Sequence, residues 1–551
     1  MLKRINVLIF FLSLILSAQP INWSDITQQY ALPTGVKLFA GTRENPKLKV
    51  WYFDVDFNSP NVAIKPYLTP IGKEGLIPFI QRFSAIGGIN GGFFDPAGNT
   101  SYSALVTPGV LHAKNIQSVV REGKTYLLTR SFFGFNDTRE VTIDWIYHFG
   151  NRPVDIYRYN APTQNAQGTP APSPSPTTGK PYFELLAGIG GGPTLVKNSQ
   201  VNITYTEEVF WGSGVGLANG DPRTAVGFTS GNHIIMLVAD GRQPGISEGL
   251  SLTELAQVMV SLGCVEAMNL DGGGSSQLGV GNSLINKPEG GTYQRPIPTM
   301  LAIVKSDSIP LLPPVFYNKK IDTEESGCTV TGNWQNSNIS GFWGSSPAIY
   351  SNSGDGSATV TYQLNLPKMG TYDIFAWWTA ASNRASNTPF YVYHKNGADT
   401  LRLNQSINGT MWNKIGTFVF NGTEMDKIVV SNFAETGKVV IADGIRILSG
   451  DSTLTDIKPD LFQSRSFRLH QNYPNPFNPN SVIRYNLLAK SKVNLGVYDL
   501  LGREIAKLVN EEQEAGEYEE IFDGSKLSSG VYLCRIIAGD FVNTIKMMLV
   551  K

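Results

Sequence analysis

The segments His233-Ile-Ile-Met-Leu-Val-Ala-Asp-Gly-Arg242, Ser251-Leu-Thr-Glu-Leu255 and Cys264-Val-Glu-Ala-Met-Asn-Leu-Asp-Gly-Gly-Gly-Ser-Ser276 decide how the first half of this chain folds. The run His233 to Ala239 is almost continuously apolar, the pattern of a strand buried on both faces. Ser251 and Glu254 stand three apart as a capping box, with Leu250 and Leu255 at the flanking staple positions. Leu252, Leu255, Ala256, Met259 and Leu262 then mark one helical face, and Gly263 is placed to end the helix. Cys264 to Leu270 reads as a second strand. Strand, helix and strand at this length predict a βαβ unit with parallel strands, hence an α+β domain.

That reading places chemistry. Asp240 and Asp271 each follow a strand directly, so both carboxylates are expected at one edge of the sheet, where open sheets hold ligands. Paired carboxylates serve glycoside hydrolysis, one as proton donor and the other as nucleophile or base. Gly272, Gly273 and Gly274 offer amide groups that can approach an anion closely. An Asp before Gly is also a plain turn residue, and each pair alone supports that reading equally.

Two further glycine-bearing motifs lie apart in sequence. Ala85 to Asp95, AIGGINGGFFD, is a strand running into a tight turn with Asn90 beside it. Asp221-Pro-Arg-Thr-Ala-Val-Gly227 sets a guanidinium just ahead of a strand, and arginine suits bidentate contact with phosphate or carboxylate. The order NGGFFD (90 to 95), PRTAVG (222 to 227), ADGR (239 to 242) and NLDGGGSS (269 to 276) closely resembles the phosphodiester glycosidase family, over roughly residues 45 to 305. That family includes the enzyme that uncovers mannose 6-phosphate by removing N-acetylglucosamine. The resemblance implies hydrolysis of a sugar 1-phosphodiester. It implies Asp240 and Asp271 as catalytic residues, and Asn90, Gly91, Arg223, Thr224, Arg242, Gly272, Gly273, Gly274 and Ser275 as substrate-binding residues. At Asp95 and Glu248 the family motifs require no acid. Acids beside glycine leave a divalent cation open, with no ligand spacing that requires one.

The rest of the 551 residues divide around this module. Residues 1–18 read as a signal peptide, with Lys3 and Arg4 before an apolar core and Ser17-Ala18 at its end. The catalytic domain is expected over 21–306, interrupted by a Pro/Ser/Thr-rich insertion at 161–181 that predicts a solvated loop. Alternating runs such as Tyr372-Asp-Ile-Phe-Ala-Trp-Trp378 predict an all-β sandwich over 316–449. Its GNWQNS, Trp343-Gly344, Asn383-Arg384 and Ile441-Ala-Asp-Gly-Ile-Arg446 elements resemble the golvesin C-terminal-like family, which implies an accessory glycan-binding role. Alternation sets Trp377 and Trp378 on opposite faces, so at most one of them is expected at the surface. A linker over 450–465 precedes a small β module over 466–551. There Gln471-Asn-Tyr-Pro-Asn-Pro-Phe-Asn-Pro479 and Val497-Tyr-Asp-Leu-Leu-Gly-Arg503 closely resemble the type IX secretion sorting domain. This implies the type IX secretion machinery as partner, and a secreted or outer-surface location in a Gram-negative bacterium.

Composition excludes other classes. Charged residues are 16% and hydrophobic residues 41% of the chain, which excludes wholesale disorder. Lys plus Arg and Asp plus Glu balance at 45 each, so no global field draws in nucleic acid or an anionic membrane. No second apolar run predicts a membrane span. Cys264, Cys328 and Cys534 stand singly, without metal or disulfide spacing. The expectation is an exported hydrolase cleaving a glycosyl phosphodiester. Two alternatives stand beside it: a non-catalytic surface glycan-binding protein, and a hydrolase of ordinary glycosidic bonds in exopolysaccharide.

Overall fold

The computed structural model describes residues 19–451 except 314, 316 and 345, and residues 468–550 except 470, 471, 473, 474, 476, 488, 489, 500, 501, 515 and 540. The expected signal peptide and most of the expected linker lie outside the described residues. By its internal contacts the chain forms two compact units, Met1–Ser452 and Thr453–Lys551.

The described chain is mostly strand, with two α-helices, Leu76–Arg82 and Leu252–Ser261. The first module is therefore far richer in β structure than an α+β domain, because three large sheets and a two-stranded ribbon, Ser118–Arg121 with Lys124–Leu127, build it and the helices only cover them. An eight-stranded sheet carries the strands Lys47–Asp56, His233–Ala239, Arg223–Thr229, Cys264–Asn269 and Thr194–Lys197 as successive neighbours. The strands His233–Ala239 and Cys264–Asn269 both run antiparallel to Arg223–Thr229, which lies between them. They are thus parallel to each other and one strand apart.

The apolar run at 233–239 is buried on both faces, as its sequence demands. Ile235, Leu237 and Ala239 pack with Leu252, Leu255, Ala256 and Met259 of the covering helix. Ile234, Met236 and Val238 point the other way, into a core shared with Ile89, Leu278 and Leu301. Those three belong to a five-stranded sheet that includes Gly87–Asn90, Leu278–Val280 and Thr299–Lys305. Each fully buried aliphatic side chain here contributes roughly 1.5–3 kcal/mol. The helix starts at Ser251, whose hydroxyl accepts the Glu254 amide at 3.1 Å while the Glu254 carboxylate accepts the Ser251 amide at 3.0 Å.

A seven-stranded sheet completes the module, with Arg130–Phe135 between Val141–His148 and Ala187–Gly190. The Pro-rich insertion is only partly solvated. Asn165 is buried and its Nδ2 donates to Leu127 O (3.0 Å) and Glu207 O (3.2 Å), which ties the beginning of the insertion to the domain. Later residues such as Ser173 and Thr177 are exposed.

The sandwich pairs a four-stranded sheet with a five-stranded sheet around Val360, Tyr362, Ile374, Phe390, Val430 and Ile447. Neither Trp377 nor Trp378 is exposed. The strand Gly370–Ala376 ends just before them, so the two-residue alternation no longer sets their directions. Trp377 Nε1 donates to Gly341 O and Trp378 Nε1 to Ile407 O, both at 2.9 Å. Trp377 packs edge-on against Trp412 and Phe183, and Trp412 Nε1 donates to Glu184 of the first module at 2.9 Å. Lys320 reaches the same carboxylate at 2.6 Å, and Arg446 reaches Asp137 at 3.0 Å. The sandwich aromatics therefore seat this module on the first one.

The C-terminal unit is a small β structure. A three-stranded sheet and a four-stranded sheet enclose Ile483, Tyr485, Val493, Leu495, Val497, Ile536 and Met547.

Candidate active site

Three glycine turns converge at one edge of the first module. The first follows the Gly87–Asn90 strand, the second closes the Cys264–Asn269 strand, and the third is Gly190-Gly191-Gly192 after the Ala187–Gly190 strand. Asp271 N donates to Gly91 O at 3.2 Å, and Gly192 N donates to Asn269 O at 2.7 Å. The contact of the first turn with the third is closer still: a Cβ on Gly92 would lie 2.4 Å from Gly190 O, so only glycine fits there.

Asn90 is the fastening of this arrangement. It is fully buried, and its Nδ2 donates to Asp271 O at 2.8 Å. Its Oδ1 accepts from Thr224 Oγ1 at 2.7 Å and from Gln277 N at 3.1 Å. One amide thus joins three of the motifs. Asn90 and Thr224 have used their polar atoms on each other and on backbone, which makes them supports of the turn.

Asp271 begins that turn. Leu270 N donates to Thr224 O at 2.8 Å and Gly273 N to Pro222 O at 2.9 Å, which fixes the backbone on both sides of the acid. Gly273 has φ +60, a left-handed conformation that suits glycine. The Asp271 carboxylate is partly buried and accepts the Gly272 amide at 3.0 Å. Burial pushes its pKa up to about 6, against the opposing pull of Ser275, Gly272 and Arg295. A carboxyl so placed keeps a proton into the weakly acidic range, as a general acid must.

Asp240 sits at the same sheet edge, on the other side of the Arg223–Thr224 strand start, because Ala239 pairs with Arg223. Its surroundings differ. It is buried, and its carboxylate accepts Asn286 Nδ2 at 2.8 Å and Lys287 N at 3.1 Å. Burial raises its pKa, while those donors and Lys49 pull it down. Asp240 therefore holds the root of the loop that follows Asn286.

The arginines divide in the same way. Arg223 is buried, and its guanidinium donates to Leu250 O (3.0 Å), Gly216 O (2.7 Å) and Asn219 O (3.1 Å) and pairs with Asp221 (3.4 Å). The structure spends Arg223 on backbone carbonyls. Arg242, at φ +56 in the Asp-Gly-Arg turn, lies beside the glycine turn, with Nη1 3.3 Å from the place of a Cβ on Gly273. Its Nε donates to Asp221 at 2.9 Å and its Nη1 to Glu289 at 2.6 Å. Arg295 lies against Gly274, and its Nη1 reaches Ser275 Oγ at 3.4 Å. Arg295, Glu289 and Asp221 were not among the residues singled out from sequence. Neither was the third turn, although the triplet in Gly188-Ile-Gly-Gly-Gly-Pro193 was a readable signal. Among the described residues, no group of three or more His, Cys, Asp or Glu side chains is placed to hold a metal ion.

An acid with a raised pKa, a glycine turn and two half-exposed guanidinia thus share one sheet edge, an arrangement suited to contact with an anion. Residues 83–304 match the family model Phosphodiester glycosidase, residues 320–449 the Golvesin C-terminal domain, and residues 471–551 the Secretion system C-terminal sorting domain. Among curated proteins, the chain is similar to the xanthan lyase of Bacillus sp. (strain GL1), at 27% identity over 143 residues, 25% of this chain and 15% of that protein. It is also similar to the SPbeta prophage-derived uncharacterized protein YomE of Bacillus subtilis (strain 168), at 34% identity over 79 residues, 14% of this chain and 12% of that protein. The chain thus spans under a sixth of the length of either relative. Among solved structures, it is similar to a hypothetical protein from Synechocystis, with a TM-score of 0.35 at 16% identity over 52% of this chain and 64% of that one. The catalytic domain of zebrafish N-acetylglucosamine-1-phosphodiester alpha-N-acetylglucosaminidase gives a TM-score of 0.34 at 18% identity over 52% of this chain and 88% of that one. The sorting-domain match identifies a secreted or outer-surface protein, and residues 83–304 are similar to phosphodiester glycosidases. Among the described residues no helix is long and apolar enough to cross a membrane.

Proposed function

We propose that the first module, over about residues 21–306, hydrolyses a glycosyl phosphodiester. Asp271 supplies the proton, and Arg242 with the Gly272 to Gly274 turn receives the phosphate. The observation that carries this reading is the turn that Asp271 begins, with Arg242 against Gly273 and Arg295 against Gly274, and burial holds the Asp271 carboxyl above the usual range, at about 6. In the proposed step the Asp271 hydroxyl donates its proton to the oxygen bridging the anomeric carbon and phosphorus. The carbon–oxygen bond breaks, and water adds to the anomeric carbon and returns a proton to the carboxylate. The products are a free sugar and a phosphate monoester of the other alcohol. Asn90, Thr224 and Asp240 act by positioning the turn and the neighbouring loop.

The test is a panel of sugar 1-phosphodiesters and neutral glycosides, assayed with and without chelator. Turnover of diesters that exceeds turnover of neutral glycosides supports the reading. Preference for neutral glycosides favours an exopolysaccharide glycosidase. Binding without turnover favours a glycan-binding protein.

A further inference from the structure

Between the two guanidinia at the glycine turn stands a carboxylate of the chain itself. Glu289 Oε1 accepts from Arg242 Nη1 at 2.6 Å, and its Oε2 lies 3.9 Å from Arg295 Nη2. Arg242, Arg295 and Glu289 are all substantially exposed at their side chains, at 48%, 43% and 38%. They form the most accessible part of a site in which Asn90, Arg223, Thr224 and Asp240 are buried. Two arginines facing one anion match the way phosphate and carboxylate groups are held, by charge-assisted hydrogen bonds from guanidinium.

The loop that carries Glu289 is fastened at its two ends and just before the acid, where Lys287 O accepts Gln243 Nε2 at 2.6 Å and Pro288 O accepts Gly241 N at 3.0 Å. Asp240 and Ser276 O receive Asn286 at one root, each at 2.8 Å. At the other root Gln277 Nε2 donates to Arg295 O at 2.9 Å, and Gln294 Oε1 accepts the Ile77 amide at 2.8 Å. Gly290 and Gly291 follow Glu289 directly, with φ +88 and +74, and Tyr293 stands 74% exposed beyond them. Glycines immediately after the acid allow it to turn away without moving the fastened ends.

We propose that Glu289 is an anionic placeholder: it occupies, between Arg242 and Arg295, the position that a phosphate group takes on binding, and the incoming phosphate displaces it. Arg295 is then the second arm of the phosphate site, opposite Arg242. This deepens the phosphodiester reading and rests on it for the identity of the substrate, but the phosphate site itself can be tested without turnover. The exchange keeps an anion between the two guanidinia whether the site is empty or filled, while Arg242 retains its ion pair with Asp221 at 2.9 Å throughout.

The experiment is calorimetric titration of the full chain with inorganic phosphate at neutral pH, comparing wild type with Glu289→Gln and Arg295→Ala. Removing a competitor held by a solvent-exposed ion pair should tighten phosphate binding by roughly twofold to fivefold. Losing one guanidinium arm should weaken it by about tenfold or more. Thermal unfolding of all three forms should agree closely, because these side chains are exposed. If Glu289→Gln binds phosphate with equal or lower affinity, Glu289 is a strut for the arginines and the proposal falls. It falls equally if Arg295→Ala binds phosphate as wild type does. Tighter phosphate binding by Glu289→Gln in a protein that turns over no phosphodiester leaves the placeholder standing and removes the proposed reaction.

Discussion

Asp240 and Asp271 follow parallel strands, precede glycine and emerge at one sheet edge, yet their surroundings differ, which is why the proposed reaction gives them different tasks. The Asp240 carboxylate is enclosed by donors from Asn286 and Lys287. The Asp271 carboxylate faces a glycine turn, a serine and the edge of a guanidinium, and keeps partial access to solvent. Sequence position makes the two acids equivalent, and the loop packed over one of them makes them different. Placement at a strand end brings a carboxylate to a site, but the number of donors it has already accepted decides what it can still do.

The largest expected effect breaks the symmetry outright. Asp271→Asn keeps the shape of the side chain and removes its transferable proton, so turnover of a glycosyl phosphodiester should fall by roughly 100-fold to 10,000-fold. Circular dichroism should match wild type, and the melting temperatures should agree below about pH 4, where the wild-type carboxyl is protonated. Asp240→Asn keeps one oxygen for Asn286 and Lys287, which both donate to Oδ1, but turns an NH2 group toward the Lys287 N–H in place of Oδ2, now 3.2 Å away. A loss of about 1–3 kcal/mol in denaturant titration is expected, with a smaller fall in turnover. Equal inactivation by both substitutions, each at wild-type stability, would make Asp240 a second reacting carboxylate and end the contrast.

The pH dependence sharpens the same comparison. The Asp271 carboxyl is raised to about 6 in the folded protein, against about 3.9 when unfolded. Between those values the folded state binds more protons than the unfolded state, so stability falls as pH rises from about 4 to about 6. The decline attributable to this group is on the order of 2–3 kcal/mol. Equilibrium unfolding at several pH values should show that slope in wild type and a flatter profile in Asp271→Asn. Turnover should decline above about pH 6, as the acid loses its proton. A slope unchanged in the variant would mean that another group holds the proton.

The strands and the helix were legible because their signals are local: a continuous apolar run, a capping box and glycines at turns. Convergence of the motifs at Asp271 was legible only through their order along the chain and their resemblance to a family. Arg295 and Glu289 were not legible, since they lie in a polar, glycine-containing loop whose periodicity says nothing about where it folds back. The fate of Arg223 was equally hidden. An arginine ahead of a strand can face a ligand or cap backbone carbonyls, and the choice depends on Gly216, Asn219 and Leu250, which are brought in by tertiary structure. For the two adjacent tryptophans the limit of at most one at the surface was legible, but not that both are buried, since alternation holds only within a strand and the strand ends at Ala376.

The smallest expected effect concerns a third carboxylate, one that is shifted the other way. Burial would raise the Glu184 carboxyl, but Lys320 and Arg446 outweigh it and hold the group at about 2. Its folded pKa is therefore depressed below the unfolded value of about 4.3. Its contribution is present above that unfolded value and is lost as pH falls toward 2. Glu184→Gln should remove about 1–2 kcal/mol at neutral pH, the range for a hydrogen-bonded charge at an interface that keeps some solvent contact. Near pH 2 the variant and wild type should converge. Because Glu184 lies between Lys320 and Trp412 of the sandwich, the loss should be read as weaker seating of that module, with earlier proteolysis near residues 306–316 and unchanged turnover by Asp271. If the substitution instead depresses turnover as strongly as it loosens the interface, the sandwich supports the site directly. Asp271 would then depend on contacts far beyond its own turn.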